Sequence, residues 1–292
     1  MKAIQTGFGV SATKAIGMLY PKEKRIFEDP YSEKLLPPAY KFWIGLMRSR
    51  LMFDMIMKLR ERMTPGVIGW MFCRFRYIDD VIKSCLAHNE IDTIVNLGAG
   101  MDCRPLYIPG IDQIKYFEVD HPDVIHKKRK KVKKILSKLP EHVTYVPVDF
   151  EMQNLEDELG NAGYDLHSTS LFIWEGVTQY ISTKATDIIL KYISKASNNS
   201  KIVFTYIIKS FIEGRNIHKG VKNMYNYVRK KKNPLWIFGI DPEELSDYLS
   251  DYSLSLIEDI GSSEVKEKYM QPLNLGLTVF EIERIAFAEI KK

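Results

Sequence analysis

Four apolar runs in the middle of the chain each end on residues that could handle a ligand. Gly98-Ala99-Gly100 follows Thr93 to Leu97, Asp120 closes Ile114 to Val119, Asp149-Phe150 closes Val143 to Val148, and Glu175 follows Ser170 to Trp174. A Gly-x-Gly directly after a strand lets the backbone turn tightly and lets a ligand approach where a Cβ would intrude. An acid at the end of the next strand, roughly 20 positions on, is where a ribose hydroxyl pair is gripped in nucleotide-binding α/β sheets. Asp149 can accept from an adenine amino group, the N–H of Phe150 can donate to a ring nitrogen, and its phenyl ring can flank the base. Glu175 can hold an amino group or balance a positive charge. Each acid alone reads as a helix cap; together on one sheet edge they point to a nucleoside-containing cofactor.

The position where a dinucleotide fingerprint places its third glycine holds Cys103, and no Gly-Lys-Ser follows the turn. A cofactor that keeps an adenosine but has no phosphate to cradle fits best, and S-adenosylmethionine is the common one. Upstream, Arg74 and Arg76 could pair with a carboxylate, of the cofactor or of a substrate, if the N-terminal helices fold over the cleft. Trp174 and Tyr180 offer faces for a cation or shape for an acceptor, with core packing the default for both.

Positioning these residues requires an α/β fold. From Asp92 onward strands alternate with helices, the grammar of a parallel sheet with crossover helices. The expected strands are 93–97, 114–119, 143–148, 170–174 and 201–207, with helices around 104–108, 122–138, 152–162 and 183–196, and two further strands at 254–259 and 277–288 that form an edge pair. Before the sheet, residues 1–30 read as an ordered arm, helical around 12–19. Residues 39–62 read as one packed helix rich in Met and aromatic residues, or else as a lid over a substrate pocket, and a further helix spans 70–87. Lys209 to Phe238 reads as an inserted helical segment, and Asp241-Pro242-Glu243-Glu244 starts a helix running to Leu249. With no internal repeat or low-complexity linker, one elaborated domain is expected: a helical cap (1–90), a cofactor-binding core (91–208), an insertion (209–238) and a C-terminal helix with strands (239–292).

The net charge of +5 permits an acidic partner without requiring one. Much of the excess lies in Lys127 to Lys134, expected to be the solvated face of a crossover helix, with Val124, Ile125, Val132, Ile135 and Leu136 as its buried stripe. That run and Lys230-Lys231-Lys232 keep an RNA-modifying activity open, although no aromatic stacking platform accompanies them. Cys73, Cys85 and Cys103 form neither a metal-ligand pattern nor a disulfide framework, which suits reduced thiols in a cytoplasm. No metal, no membrane span and no membrane partner are expected, and a nucleic-acid partner is not favoured. His121, His126, His142 and His167 are expected to be exposed.

Seven stretches carry a family resemblance: Arg25 to Tyr31, Arg74 to Asp79, Val95 to Arg104, Phe117 to Pro122, Val146 to Phe150, Trp174 to Tyr180 and Phe238 to Pro242. In these the chain resembles the leucine carboxyl methyltransferase family of S-adenosylmethionine-dependent enzymes, and more closely its microbial branch of polyketide carboxyl methyltransferases. The resemblance implies a class I methyltransferase, Rossmann-like fold with a seven-stranded, mostly parallel sheet. It implies Gly98 and Gly100 in the cofactor turn, Asp120 on the ribose, Asp149 and Phe150 on the adenine, Glu175 near the methionine portion, and Arg74 facing a carboxylate. Lys14 would be a basic N-terminal contact to the cofactor. The implied acceptor is a carboxylate of a small molecule or a peptide terminus, with Arg74, Arg76 and Tyr180 as candidates to position it. The family's usual threonine is Cys103 here. A nicotinamide-dependent oxidoreductase on the same sheet is the alternative.

Overall fold

The computed structural model describes residues 2–215, 217–229 and 232–292, with side chains from residue 5 onward. Its centre is a seven-stranded sheet in the order β3-β2-β1-β4-β5-β7-β6. The strands are β1 (Thr93–Leu97), β2 (Lys115–Asp120), β3 (Val143–Pro147), β4 (Ser170–Trp174), β5 (Lys201–Ile207), β6 (Leu254–Ile260) and β7 (Glu283–Ile290). β1 to β5 run parallel, and β7 lies antiparallel between β5 and β6. β1, β4 and β5 are buried along their whole length, which is why they read as unbroken apolar runs and not as alternating ones. This is a Rossmann-like α/β fold with a mostly parallel sheet.

The helices are α1 (Lys2–Gly17), α2 (Ser32–Leu35), α3 (Pro38–Met47), α4 (Arg50–Met63) and α5 (Val67–Ala87) before the sheet. α6 (Pro122–Leu136), α7 (Leu155–Asn161) and α8 (Thr183–Ile193) are crossovers. α9 (Lys209–Ile212), α10 (Lys222–Val228), α11 (Leu245–Ser250) and α12 (Ser262–Val265) follow. One apolar cluster joins α1, α5 and one face of the sheet, through residues such as Ile16, Trp70, Phe75, Ile78, Ile94 and Ile207. A second lies under α7, α8 and α11 on residues such as Leu97, Phe172, Ile189, Phe204 and Leu245.

Several expectations are corrected. The helical part of the N-terminal arm begins at Lys2, ten residues earlier than its apolar pattern suggests. Residues 39–62 form two helices, broken at Arg48 and Ser49, and much of their apolar surface is exposed, not packed. The last strand starts at Glu283, not Leu277, because Phe280 N bonds to Gly66 O (3.0 Å) and holds that stretch against the N-terminus of α5. Lys128 departs from the solvated basic face: it is 1 % exposed. His142 is half-buried, with Nε2 3.0 Å from Pro105 O, whereas His121, His126 and His167 are exposed. Trp174 is fully enclosed and offers no face to a ligand. Lys230 and Lys231 lie outside the described residues.

Candidate cofactor site

The carboxyl ends of β3, β2, β1 and β4 stand side by side, so Asp149, Asp120, Gly98 and Glu175 share one sheet edge. Gly98 has φ +75°, and a Cβ there would meet Val177 Cγ2 at 2.2 Å. Gly100 has φ +49°, and a Cβ there would be in ordinary contact with Gly7 Cα of α1 and with Gly98 O, both at 3.9 Å. The turn is hung on β2: Gly98 N and Ala99 N both donate to Val119 O (2.7 and 3.0 Å), and Gly100 N donates to Asp120 Oδ2 (2.6 Å). Asp120 Oδ1 accepts from His121 N (2.7 Å). Burial raises the Asp120 carboxyl, and these two backbone bonds pull it back. A carboxylate has about four acceptor sites, so Asp120 still has capacity for a diol.

Asp149 sits in a partly open turn, accepting from Glu151 N (3.1 Å), with Phe150 half-buried against the second apolar cluster. His121 Nε2 is 3.9 Å from Asp149 Oδ2. Cys103 is fully buried among Phe8, Leu35, Met101 and Val124, so the place of a third glycine is filled by core.

Beside the turn the structure assembles a buried ionic network. Arg74, from α5, donates through Nε to Glu175 Oε1 (2.9 Å) and through Nη1 to Glu283 Oε1 of β7 (2.7 Å). Arg104 donates to Glu175 Oε2 (2.7 Å), Asp102 Oδ2 (3.0 Å) and Asp79 Oδ1 (2.6 Å). Lys14, from α1, donates to Asp102 Oδ1 (2.9 Å), lies 3.4 Å from Asp29 Oδ2, and stands over the Phe75 ring. Burial would raise Glu175 and Asp102, but the neighbouring Arg and Lys charges outweigh it and lower both. Five carboxylates against three cations leave a formal charge of −2 in this enclosed network.

The candidate residues thus divide. Lys14, Arg74, Gly98, Gly100, Asp120 and Glu175 gather around the turn, and Asp149 with Phe150 extends the edge. Arg76 is not brought in: it pairs with Asp80 Oδ1 (2.8 Å), donates to Ile26 O (2.9 Å) and lies over the Tyr269 ring. Tyr180 lies beside Trp236, with Arg74, Glu283 and Tyr227 near enough to act on it electrostatically. Asp29, Asp79, Asp102, Arg104 and Glu283 were missed as functional candidates. Their signal was present for the first four, which sit inside the motif stretches Arg25 to Tyr31, Arg74 to Asp79 and Val95 to Arg104.

The residues present suit an adenosine-linked amino acid carrying a sulfonium. There is a glycine turn in the left-handed region at the end of β1, a carboxylate at the end of β2, and excess negative charge beside the turn. Arg74 Nη2 carries no hydrogen bond among the described residues, leaving donors for a ligand carboxylate, and the guanidinium lies alongside Gly176.

Among solved structures, a Thermobifida fusca YX protein superposes with TM-score 0.56 at 13% identity, covering 95% of this chain and 97% of that one. A Streptomyces avermitilis protein of the DUF574 family superposes with TM-score 0.53 at 11% identity, covering 96% and 97%. The Bacillus subtilis (strain 168) protein YktD, provisionally named an S-adenosyl-L-methionine-dependent methyltransferase, is 24% identical over 200 residues, which is 66% of this chain and 65% of YktD. A Mycolicibacterium gilvum protein with the same kind of name is 24% identical over 207 residues, 70% of this chain and 66% of its own length. The similarity therefore spans slightly less than two thirds of these relatives. The family model described as leucine carboxyl methyltransferase matches residues 7–194, from α1 through α8, and includes the turn and most of the ionic network. The chain belongs to the leucine carboxyl methyltransferase family.

Proposed function

We propose that the protein is an S-adenosylmethionine-dependent methyltransferase that esterifies a carboxylate of a small molecule or a peptide terminus. The observation that carries the reading is the Gly98 to Gly100 turn closed by Asp120 at the sheet edge, beside a network with net negative charge. When bound, the cofactor supplies an electrophilic methyl group on sulfur. Asp120 would hold its ribose, Asp149 and Phe150 its adenine, and Arg74 with Lys14 its carboxylate. Glu175 keeps Arg74 and Arg104 in place and contributes the charge that offsets a sulfonium.

The remaining work is alignment. Displacement at a methyl group needs donor and acceptor in line and water excluded, and α1 contributes by lying across the turn, with Ser11 Oγ donating to Met101 O (3.4 Å). A carboxylate acceptor is already ionised at neutral pH, because its reference pKa is about 4, so no side chain has to remove a proton. Tyr180, beside Trp236 and within electrostatic reach of Arg74, would be placed to line the acceptor's side of the site.

Calorimetric titration with S-adenosylmethionine tests the cofactor half. Asp120→Ala is expected to weaken binding by roughly 10- to 100-fold, about 1.5–3 kcal/mol for lost hydrogen bonds to a charged group. Binding unchanged by that substitution would sink the assignment. For the acceptor half, products labelled from the methyl donor should release methanol in alkali; a label that alkali leaves in place rules out a carboxyl ester.

A further inference from the structure

The N-terminal helices leave bare an apolar surface that the cofactor turn does not use. On α4, Leu51, Met55, Leu59 and Met63 recur every four residues and are 78 %, 54 %, 56 % and 59 % exposed. They form one line down the helix, and Lys58 and Arg62, seven and eleven residues from Leu51, fall on the same face. On α3, Phe42 and Trp43 are likewise exposed and meet edge to face. Single exposed apolar residues need no account, but a line of four on one helix and an exposed aromatic pair on the helix before it do.

Charge says what would cover it. α3, α4 and the two residues between them carry Lys41, Arg48, Arg50, Lys58, Arg60 and Arg62 against the acids Asp54 and Glu61. Asp54 pairs with Arg50, Arg48 pairs with Glu33 of α2 (2.8 Å), and Glu61 accepts from Gly66 N and the Thr278 hydroxyl, so Lys41, Lys58, Arg60 and Arg62 are the cations left for a partner. The positive surface continues onto α6. Phe8 of α1 contacts the ring of Tyr40 on α3 and lies under Lys127 (5.2 Å) and Lys131 (5.1 Å), so the basic edge of α6 meets the start of α3 there. Burial and the like charges of Lys41, Lys127 and Lys134 lower the Lys131 ammonium below its ordinary value. Aligned apolar side chains, Trp and Phe beside them, and Lys and Arg at the margins are the composition of a helix that lies in a membrane interface.

We propose that the α3–α4 face docks on an anionic phospholipid bilayer. Phe42, Trp43, Leu51, Met55 and Leu59 enter the boundary between headgroups and acyl chains, and the cations of α3, α4 and α6 lie against the headgroups. A soluble polyanion would satisfy the cations and leave the apolar line in water. The last turn of α4 touches the insertion, where Asn223 Nδ2 donates to Met63 O (3.2 Å), so a docked molecule would hold α10 near the membrane surface.

The test is co-sedimentation of the full chain with phosphatidylcholine vesicles, with and without phosphatidylglycerol, at low and high salt. Binding is expected to need phosphatidylglycerol and to weaken with salt. Leu51→Glu/Leu59→Glu should reduce it at least about tenfold, and Lys58→Gln/Arg62→Gln roughly fivefold per charge removed. All four positions are exposed, and an unchanged thermal unfolding midpoint verifies that the variants fold. Failure of the wild type to bind anionic vesicles, or wild-type binding by both double variants, overturns the proposal. So does RNA or acidic polypeptide binding that exceeds vesicle binding and ignores the Leu51→Glu/Leu59→Glu change.

Discussion

Lys128 reaches from α6 to two oxygens at once: its Nζ is 2.8 Å from Glu118 Oε1 and donates to Ala99 O (3.3 Å) in the cofactor turn. Both side chains are almost wholly enclosed. Burial pushes Glu118 up to about 7, against the pull of Lys128. The folded protein therefore holds a proton that the unfolded chain releases near the ordinary glutamate value of 4.5, and binds more protons than the unfolded chain across that interval. Stability from this group is present below about pH 4.5 and is lost as pH rises through about 7. Urea unfolding at pH 5 and pH 7.5 is expected to show Glu118→Gln flattening the wild-type decline, an effect on the order of 1–3 kcal/mol; an identical slope in the variant would place the titration elsewhere. None of this was visible in the sequence, where Lys128 is one base in a run of bases. Its burial follows from its place on α6 relative to Val124, Ile125 and Val132, which share the buried side.

At the scale of elements, the turn after β1 depends on what packs against it. Gly98→Ala meets two costs, a left-handed backbone and a clash with Val177. About 1–2 kcal/mol for the first and 1–3 for the second are expected. Gly98→Ala/Val177→Ala should recover the steric part only, so thermal denaturation of the double variant should fall between wild type and Gly98→Ala; full recovery would mean that the left-handed conformation is not needed. β1, β4 and β5 were legible to the residue because both of their faces are buried, and turns or helix caps bound them closely. The last strand was not, since Leu277 to Ile282 is as apolar as a strand but spends itself on Gly66 and α5. Residues 39–62 misled in the same way, because periodicity reports an amphipathic face without saying whether anything covers it.

Across the whole molecule, the ionic network is where distant parts meet. Lys14 of α1, Arg74 and Asp79 of α5, Asp102 and Arg104 after β1, Glu175 after β4 and Glu283 of β7 are joined through Arg104 and Arg74. Arg104→Met is therefore expected to cost about 3–5 kcal/mol, the price of leaving Asp79, Asp102 and Glu175 buried without their shared partner. Equilibrium unfolding in urea measures it, and a loss under about 1 kcal/mol would show that water relieves these acids. The acids at the strand ends were readable from spacing, but these pairings were not, since Arg74 and Glu283 are 209 residues apart. β7 comes after every other strand of the sheet in the chain, yet it lies between β5 and β6. On the ribosome, β5 must then wait with an open edge while β6 is made, and Arg74 must wait for Glu283. A nascent chain halted in that interval would offer an unpaired strand edge to its neighbours, so the time between making β5 and β7 is when edge-to-edge pairing with other chains has its opening.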